Sequence, residues 1–322
     1  MPVHEKIIVI TRKTALEELI ERFNTRDQAR FYLEQMGVDF SEYEAAHTQY
    51  QQAKDALQKA IPSNVRAQWI EREFLPTFTF GREDLIITLG PDGLVVNVAK
   101  YLDGQPLLAF NPDFTRIDGV LLPFQVHQAS YVLPDATQGH YQIAPVTMAR
   151  VVLNDGQSLH ALNDFFVGAQ THISARYEVL YNGQREAQSS SGIIVTTGAG
   201  STGWWRSVLT GAKGITQAHN GIVIEPKIDS NTGRAVDDYR FDWSANELRF
   251  AVREPFISKT SGASIVCGAL QNEATLQITS RMPQNGVIFS DGIEEDFLEF
   301  NSGAIATIGI ADKKLHLVTA VR

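Results

Sequence analysis

Between Glu83 and Pro112 the chain spells out strand, helix and strand in turn. "EDLIITLG" is a short apolar run ending in glycine, "LVVNVAKYL" follows as a helix, and "QPLLAFNP" is a second buried strand. Two such strands joined through a helix lie side by side as parallel neighbours with a right-handed crossover, so the stretch predicts a parallel α/β layer. The chain before it fits that layer. Ile7 to Ile10 is a short apolar strand, and "ALEELIERFNTRDQARFYLEQMG" sets Leu16, Leu19, Ile20 and Phe23 at helical spacing, with Gly37 as its stop. "EYEAAHTQYQQAKDALQKAI" is helical by propensity.

After about residue 123 the texture changes. "YQIAPVTMARVVLNDGQSLHALNDFFVG", "ISARYEVLYNGQ" and "ELRFAVREPF" are β-rich runs split by turn signals such as Asn154-Asp155-Gly156 and Asn182-Gly183. A sandwich or meander is expected there, interrupted by one short helix after Gly203. The tail "DFLEFNSGAIATIGIADKKLHLV" returns to strand patterning. The fold class expected is therefore α/β plus all-β: an N-terminal Rossmann-like α/β domain over 1–123 and a β-sandwich-like domain over 124–293, with 294–322 as a C-terminal segment.

A length of 322 residues is enough to bury a sizeable core. The net charge of -9 argues against general nucleic-acid binding, which needs a basic surface. A phosphorylated ligand would then depend on local backbone donors, a few Lys or Arg, and a bridging divalent cation. Cys267 is the single cysteine, which excludes an intrachain disulfide and a cysteine-based zinc site. The start "MPVHEKIIVITR" shows no long apolar leader, and no apolar run is long enough to span a bilayer, so a cytoplasmic protein without a membrane partner is expected.

Three stretches bear chemistry. In "LGPDGL", Asp92 stands between glycines where a strand gives way to a helix, the place where α/β sheets bind ligands. Backbone N–H groups at such a helix start can face phosphate oxygens, and Asp92 can hold Mg²⁺ or orient an attacking hydroxyl. An ordinary Pro-Asp-Gly turn with Asp92 as a helix cap is the competing explanation. In "SLHALNDFFVG", Asn163 and Asp164 precede a strand and can grip a ribose diol, or can simply be turn residues. In "GIIVTTGAGSTGWWRSVL", Gly198, Gly200 and Gly203 spell the G-x-G-x-x-G of a dinucleotide fold, but in the middle of a β-rich region. Glu225 lies at the right distance for the acid that grips a ribose. Gly211 and Gly214 fall in the span that a crossover helix would need, which makes that helix doubtful. What remains is a loop with the hydroxyls of Ser201 and Thr202, and Trp204 or Trp205 either stacking on a flat ring or packing in the core.

In this order, "GPDGL", "ALNDFFVG", "TTGAGSTGWW" and "FSDG" resemble the NAD kinases, and the wording around "SSSGIIVTTGAGSTGWW" is similar to their mitochondrial-type branch. The resemblance runs from about residue 84 to the C-terminus. It implies ATP- and Mg²⁺-dependent phosphorylation of the 2′-hydroxyl of NAD's adenosine ribose. Asp92 would be the catalytic carboxylate, with Gly90 and Gly93 shaping the phosphate-facing turn. Asn163 and Asp164 would hold ribose hydroxyls, while Ser201, Thr202, Gly203 and Trp204 would line the dinucleotide site. Asp291-Gly292 would lie where the chain turns back toward the first domain, and a homodimer or higher homo-oligomer is implied. The family's Gly-Gly-Asp-Gly-Thr turn is altered, however. Pro91 removes an N–H and Leu94 a hydroxyl. If that N–H bonds a phosphate, its loss costs about 1.5–3 kcal/mol. A nucleotide-binding regulatory protein without turnover, and a kinase of another sugar or lipid hydroxyl, are the alternatives. "SSS" (189–191) and "DGIEEDF" are read as strand entry and solvated turn, and the eight histidines lack metal-ligand spacing.

Overall fold

The computed structural model describes residues 3–223, 225 and 239–321. Two compact units divide the chain. One runs to Ala144 and takes back the chain from Leu315; the other is Pro145–Lys314.

The first unit is built on the expected parallel sheet. β1 (Lys6–Thr11), β2 (Arg66–Glu71), β3 (Leu85–Leu89) and β4 (Pro106–Asn111) lie in the order β4-β3-β1-β2, every pair parallel. β5 (Phe124–Gln125) also pairs with β4, as do His316 and Leu317 near the C-terminus, so the chain returns to this unit to complete its sheet. β3 and β4 are buried along their whole length. This is the mark of strands covered on both faces, and it is why they read as continuous apolar runs. Between them runs α4 (Asp92–Ala99). Of the other helices, α1 (Ala15–Phe23) and α2 (Arg26–Gln35) form a pair, α3 (Phe40–Ala60) packs Tyr50, Ala53 and Leu57 into the core, and α5 (Ala129–Thr137) adds Val132, Leu133 and Ala136.

One local reading needs correction, and two elements were not expected. The helical pattern from Ala15 is two helices, because Asn24 takes a left-handed φ of +64° and the Thr25 side chain accepts from Gln28 N–H to start the second. β2 escaped notice because only Ile70 of its six residues is buried, leaving no apolar run. α5 was not foreseen either, with Pro134 inside it.

The second unit contains β6 (Tyr141–Leu153), β7 (Ser158–Ala161), β8 (Asp164–Ala169), β9 (Ala175–Tyr181), β10 (Gln184–Ser190), β11 (Ile193–Thr196), β12 (Glu247–Val252), β13 (Cys267–Gln271), β14 (Leu276–Ser280), β15 (Gly286–Ser290), β16 (Ile293–Glu299) and β17 (Ile305–Val321). The outer residues of β6 and β17 belong to the first unit. One sheet has the order β13-β12-β11-β8-β15-β16; the other runs β10-β9-β14-β17, with β6 and then β7 attached to β17. Alternate residues of both sheets, among them Phe165, Val167, Ile193, Val195, Phe250, Tyr177, Val179 and Ile278, interleave in one core. This is sandwich packing. Asn182 (φ +49°) and Gly183 (φ +77°) form the tight turn from β9 to β10, as their sequence predicts. Asp291 (φ +58°) and Gly292 (φ +70°) do the same between β15 and β16.

The helix after Gly203 is not short. α6 (Trp204–Asn220) has 17 residues and carries both Gly211 and Gly214. A full-length helix therefore does follow the glycine loop, against expectation. No described helix is long and apolar enough to cross a membrane.

Candidate functional site

In the first unit, three parallel strands deliver polar chain to one edge. β1 ends at Thr11 and is followed by Arg12, Lys13 and Thr14; β3 by Gly90, Pro91 and Asp92; β4 by Pro112 and Asp113. A cleft of about 390 Å³ opens there, lined by Arg12, Lys13, Thr14, His47, Pro91 and Arg116 among others. Carboxyl ends of parallel strands are where α/β sheets take ligands. Arg12, Lys13, His47 and Arg116 line it with Glu42 and Asp113; Arg12 meets Glu18 at 3.4 Å, Lys13 meets Glu21 at 3.0 Å and Arg116 meets Asp113 at 2.6 Å. Thr14 caps α1, with Glu17 answering its N–H, and accepts or donates to His47 Nδ1 at 2.9 Å. Tyr50 ties α3 to this edge by donating to the Leu89 carbonyl (3.1 Å), and burial pushes its phenol up to about 12.

Asp92 is the first residue of α4, and Pro91 is the residue that caps it. The cap explanation for Asp92 is thereby corrected: its carboxylate does not bond its own helix but accepts Leu121 N–H at 2.6 Å. Its other oxygen has no partner among the described residues. Leu94 is buried and lies over Gly90, where a Cβ would stand 2.8 Å from Leu94 Cδ2. Gly93 is exposed, with nothing within 4 Å of a Cβ.

The second unit gathers the other predicted residues at the ends of β8 and β11. β11 runs antiparallel to both its neighbours, β8 and β12. A Rossmann fingerprint needs a parallel strand–helix–strand unit, so this G-x-G-x-x-G belongs to another construction, although a helix follows it. Its glycines serve backbone packing. A Cβ on Gly198 would lie 2.2 Å from the Asp242 carbonyl oxygen, and one on Gly200 2.2 Å from that of Asn163. Gly203 is open, its nearest neighbour 3.5 Å away. Glu225 is exposed and lies in no strand, whereas neighbouring Ile224 is outside the described residues.

Ser201 is buried and donates to the Gly198 carbonyl (2.6 Å), while Thr202 is half-buried. Trp204 stacks on Phe166 with centroids 5.7 Å apart, and Arg253 sits 5.2 Å over its ring. Trp205 is buried, its indole N–H without a partner among the described residues. Asn163 is gripped by its backbone: Thr197 N–H donates to its carbonyl (2.9 Å) and Asp291 accepts its N–H (2.7 Å). No described residue uses its side-chain amide. Asp164 is buried, and burial first, then the charge of Asp291, pushes its carboxyl up to about 7.

Sequence reasoning missed the basic run Arg12-Lys13 and the grip of Asp291. A basic pair directly after the first strand was a readable signal for the former. For the latter none existed, because the contact spans 129 residues from Asp291 to Leu162.

In fold, an α/β unit and a sandwich-like unit, the chain is similar to solved NAD kinase structures. The chain aligns with yeast NADH kinase complexed with NADH at a TM-score of 0.58, 15% identity, and coverage of 100% of this chain and 84% of that one. It aligns with an NAD kinase from Archaeoglobus fulgidus in complex with ATP at 0.56, 14% identity, and 97% and 92% coverage. In sequence it is similar to the NAD kinase of Thermoanaerobacter sp. (strain X514), 28% identical over 158 residues, 47% of this chain and 54% of the relative. It is also similar to that of Chlorobaculum tepidum, 26% identical over 146 residues, 44% and 50% of the two chains. The chain thus spans about half the length of the curated relatives it matches. No family model matches it.

Proposed function

We propose that the protein is an NAD kinase, transferring the γ-phosphoryl group of ATP to the 2′-hydroxyl of NAD's adenosine ribose. The observation that carries this is Asp92: a half-buried carboxylate opening α4 at the carboxyl edge of a parallel sheet, one oxygen fixed by Leu121 N–H and the other uncommitted. In this reading Asp92 accepts the proton of the attacking hydroxyl. Gly90 and Gly93 let the turn approach phosphates, and the basic cleft beside Pro91 receives the triphosphate. Phosphoryl transfer is mostly positioning and charge neutralisation, which a basic cleft and one carboxylate supply.

Mg²⁺ fits this donor set. Among the described residues no three His, Cys, Asp or Glu side chains converge as a closed metal cage. Mg²⁺ commonly keeps several waters and binds mainly through the substrate's phosphates, so it would be carried by ATP, with the Asp92 carboxylate beside it. Bound there, the ion would neutralise charge on the transferring group. The sandwich unit would hold NAD through Asn163, Asp164, Thr202, Gly203 and Trp204, with Ser201 bracing the loop from inside. Similarity to the mitochondrial-type branch, a homodimer and a cytoplasmic location go with the reading.

A second reading, a dinucleotide-binding protein without turnover, is favoured by Pro91 and Leu94. The first offers no N–H to a phosphate, and the second is buried where a hydroxyl is expected. A screen of ATP, other triphosphates and polyphosphate against NAD and NADH separates the two. NADP or NADPH formed with Mg²⁺ supports the kinase; binding of NAD without product under every donor supports the second reading.

A further inference from the structure

The carboxylate of Asp291 gathers three consecutive backbone N–H groups. Leu162 donates to Oδ2 at 3.1 Å, and Asn163 and Asp164 to Oδ1 at 2.7 and 3.2 Å. Asp291 N–H in turn donates to the Asp164 carbonyl at 2.9 Å. From the other side, Thr197 Oγ1 donates to the Leu162 carbonyl at 2.5 Å, and Thr196 Oγ1 reaches the Asn163 carbonyl at 3.3 Å. The backbone of Asn163 is thus held at both its N–H and its carbonyl, and only its amide side chain is left over.

We propose that Asp291 is the positioning residue of the Asn163–Asp164 pair, fixing its backbone and setting the hydrogen-bonding sense that the pair offers to a ligand's vicinal hydroxyls. The identity of that ligand, the ribose of NAD, rests on the kinase reading; the clamp itself does not. Three charge-assisted bonds converging on one carboxylate make a rigid anchor. Asp291 can serve three neighbours at once because the two-residue turn with Gly292 holds it at φ +58° beside the start of β8.

The clamp also acts on Asp164 electrically. No described residue donates a hydrogen bond to the Asp164 carboxyl, which is buried beside the negative Asp291. The neighbouring strands add nothing titratable: β11 sets Thr196 opposite Asp164, and β15 ends in Ser290 opposite Phe165. Among the described residues, Asp291 is the charged group that acts on it. Asp164 therefore keeps its proton into the neutral range and can donate to a ribose oxygen, while the Asn163 amide both donates and accepts. An ordinary ionised aspartate could only accept.

The test is Asp291→Asn in the full chain, read without ligand first. An amide keeps the shape, removes the charge and offers one accepting oxygen. The N–H groups of residues 162–164 should exchange with solvent at least about tenfold faster. The carboxyl carbon of Asp164, assigned by its absence in Asp164→Asn, should titrate near neutrality in the native protein and at least about one pH unit lower in the variant. NAD should bind about 10–100-fold more weakly. Asp291→Glu, which retains the charge, should restore the titration in part. Unchanged exchange together with an unchanged Asp164 midpoint would overturn the proposal. If Asp291→Asn does not fold, the native protein decides: unprotected 162–164 amides, or Asp164 titrating in the usual carboxylate range, sink the idea. A native protein that binds no NAD would count against the kinase reading and leave the clamp to be judged on exchange and titration.

Discussion

Two glycine-bearing turns lead from strand to helix in this molecule, and they are alike only on paper. At Leu89–Asp92 the strand is parallel to both neighbours and its turn opens at the carboxyl edge of the sheet. At Thr196–Trp204 the strand is antiparallel to both neighbours, and two of the three glycines are buried against other backbone. The first turn carries Asp92 next in sequence to Pro91, which lines an open cleft. The second spends two of its glycines on packing and leaves only Gly203 open. Strand direction, which a local motif does not encode, decides which kind of site a glycine turn can be.

The largest expected effect lies at the first turn. Asp92→Asn keeps an oxygen for Leu121 N–H, so the fold should stand, but it removes the carboxylate that the kinase reading makes the proton acceptor. NADP formation should fall by about 10²–10⁴-fold with NAD affinity little changed. Retention of full activity would move the chemistry away from this turn altogether.

At the second unit the expected effect is on stability and depends on pH. The ordinary carboxyl value of Asp164 is 3.8, and burial beside Asp291 raises it to about 7 in the folded chain. Below 3.8 both folded and unfolded chains carry the proton. As pH rises the unfolded chain ionises first, so Asp164 weakens the fold progressively up to about 7 and no further beyond it. Urea midpoints of Asp164→Asn minus native should therefore climb between pH 4 and 7 and level off above. A flat difference would mean that Asp164 is not held neutral.

How much of this was legible in the sequence follows from the same contrast. The strand–helix–strand at 83–112 could be read because each apolar run is long, fully buried and local. The sandwich could be read from turns such as Asn182-Gly183, whose positive φ angles need those residues. The order of motifs along the chain pointed to Asp92, Asn163 and Asp164 individually. Their surroundings could not be read, since they come from tertiary contact. Asp291 reaches Leu162 across 129 residues, and Gly200 is glycine because the Asn163 carbonyl lies against it. The helix break at Asn24 and the full length of α6 were misjudged for a related reason. A left-handed Asn there outweighs continuous periodicity, and the helix tolerates the cost of Gly211 and Gly214.

The glycines themselves sharpen the comparison at the next scale. Gly200→Ala places a methyl 2.2 Å from a backbone oxygen that cannot step aside. Overpacking of that kind costs about 1–3 kcal/mol, and the melting temperature should drop accordingly. Gly93→Ala meets nothing within 4 Å in the first turn of α4 and should be neutral or slightly stabilising. Equal losses at both positions would erase the distinction between a packing turn and an open one.

Pro91→Gly tests whether the first turn is a working phosphate turn with one donor removed. The substitution returns an N–H at the cap of α4, next to the basic cleft that Pro91 lines. If a phosphate oxygen lies there, ATP should bind about tenfold more tightly, the worth of one charge-assisted bond at the low end of its range. Stability should move the other way by about 0.4–1 kcal/mol, because glycine gives the unfolded chain more freedom than proline. The two signs are what make the measurement informative. A gain in ATP affinity with a small loss in melting temperature marks the N–H as the missing part. A loss of stability alone would show that no phosphate faces Pro91. Leu94 then sets the ceiling, since its buried side chain lies over Gly90, with Cδ2 2.8 Å from where a Cβ there would stand.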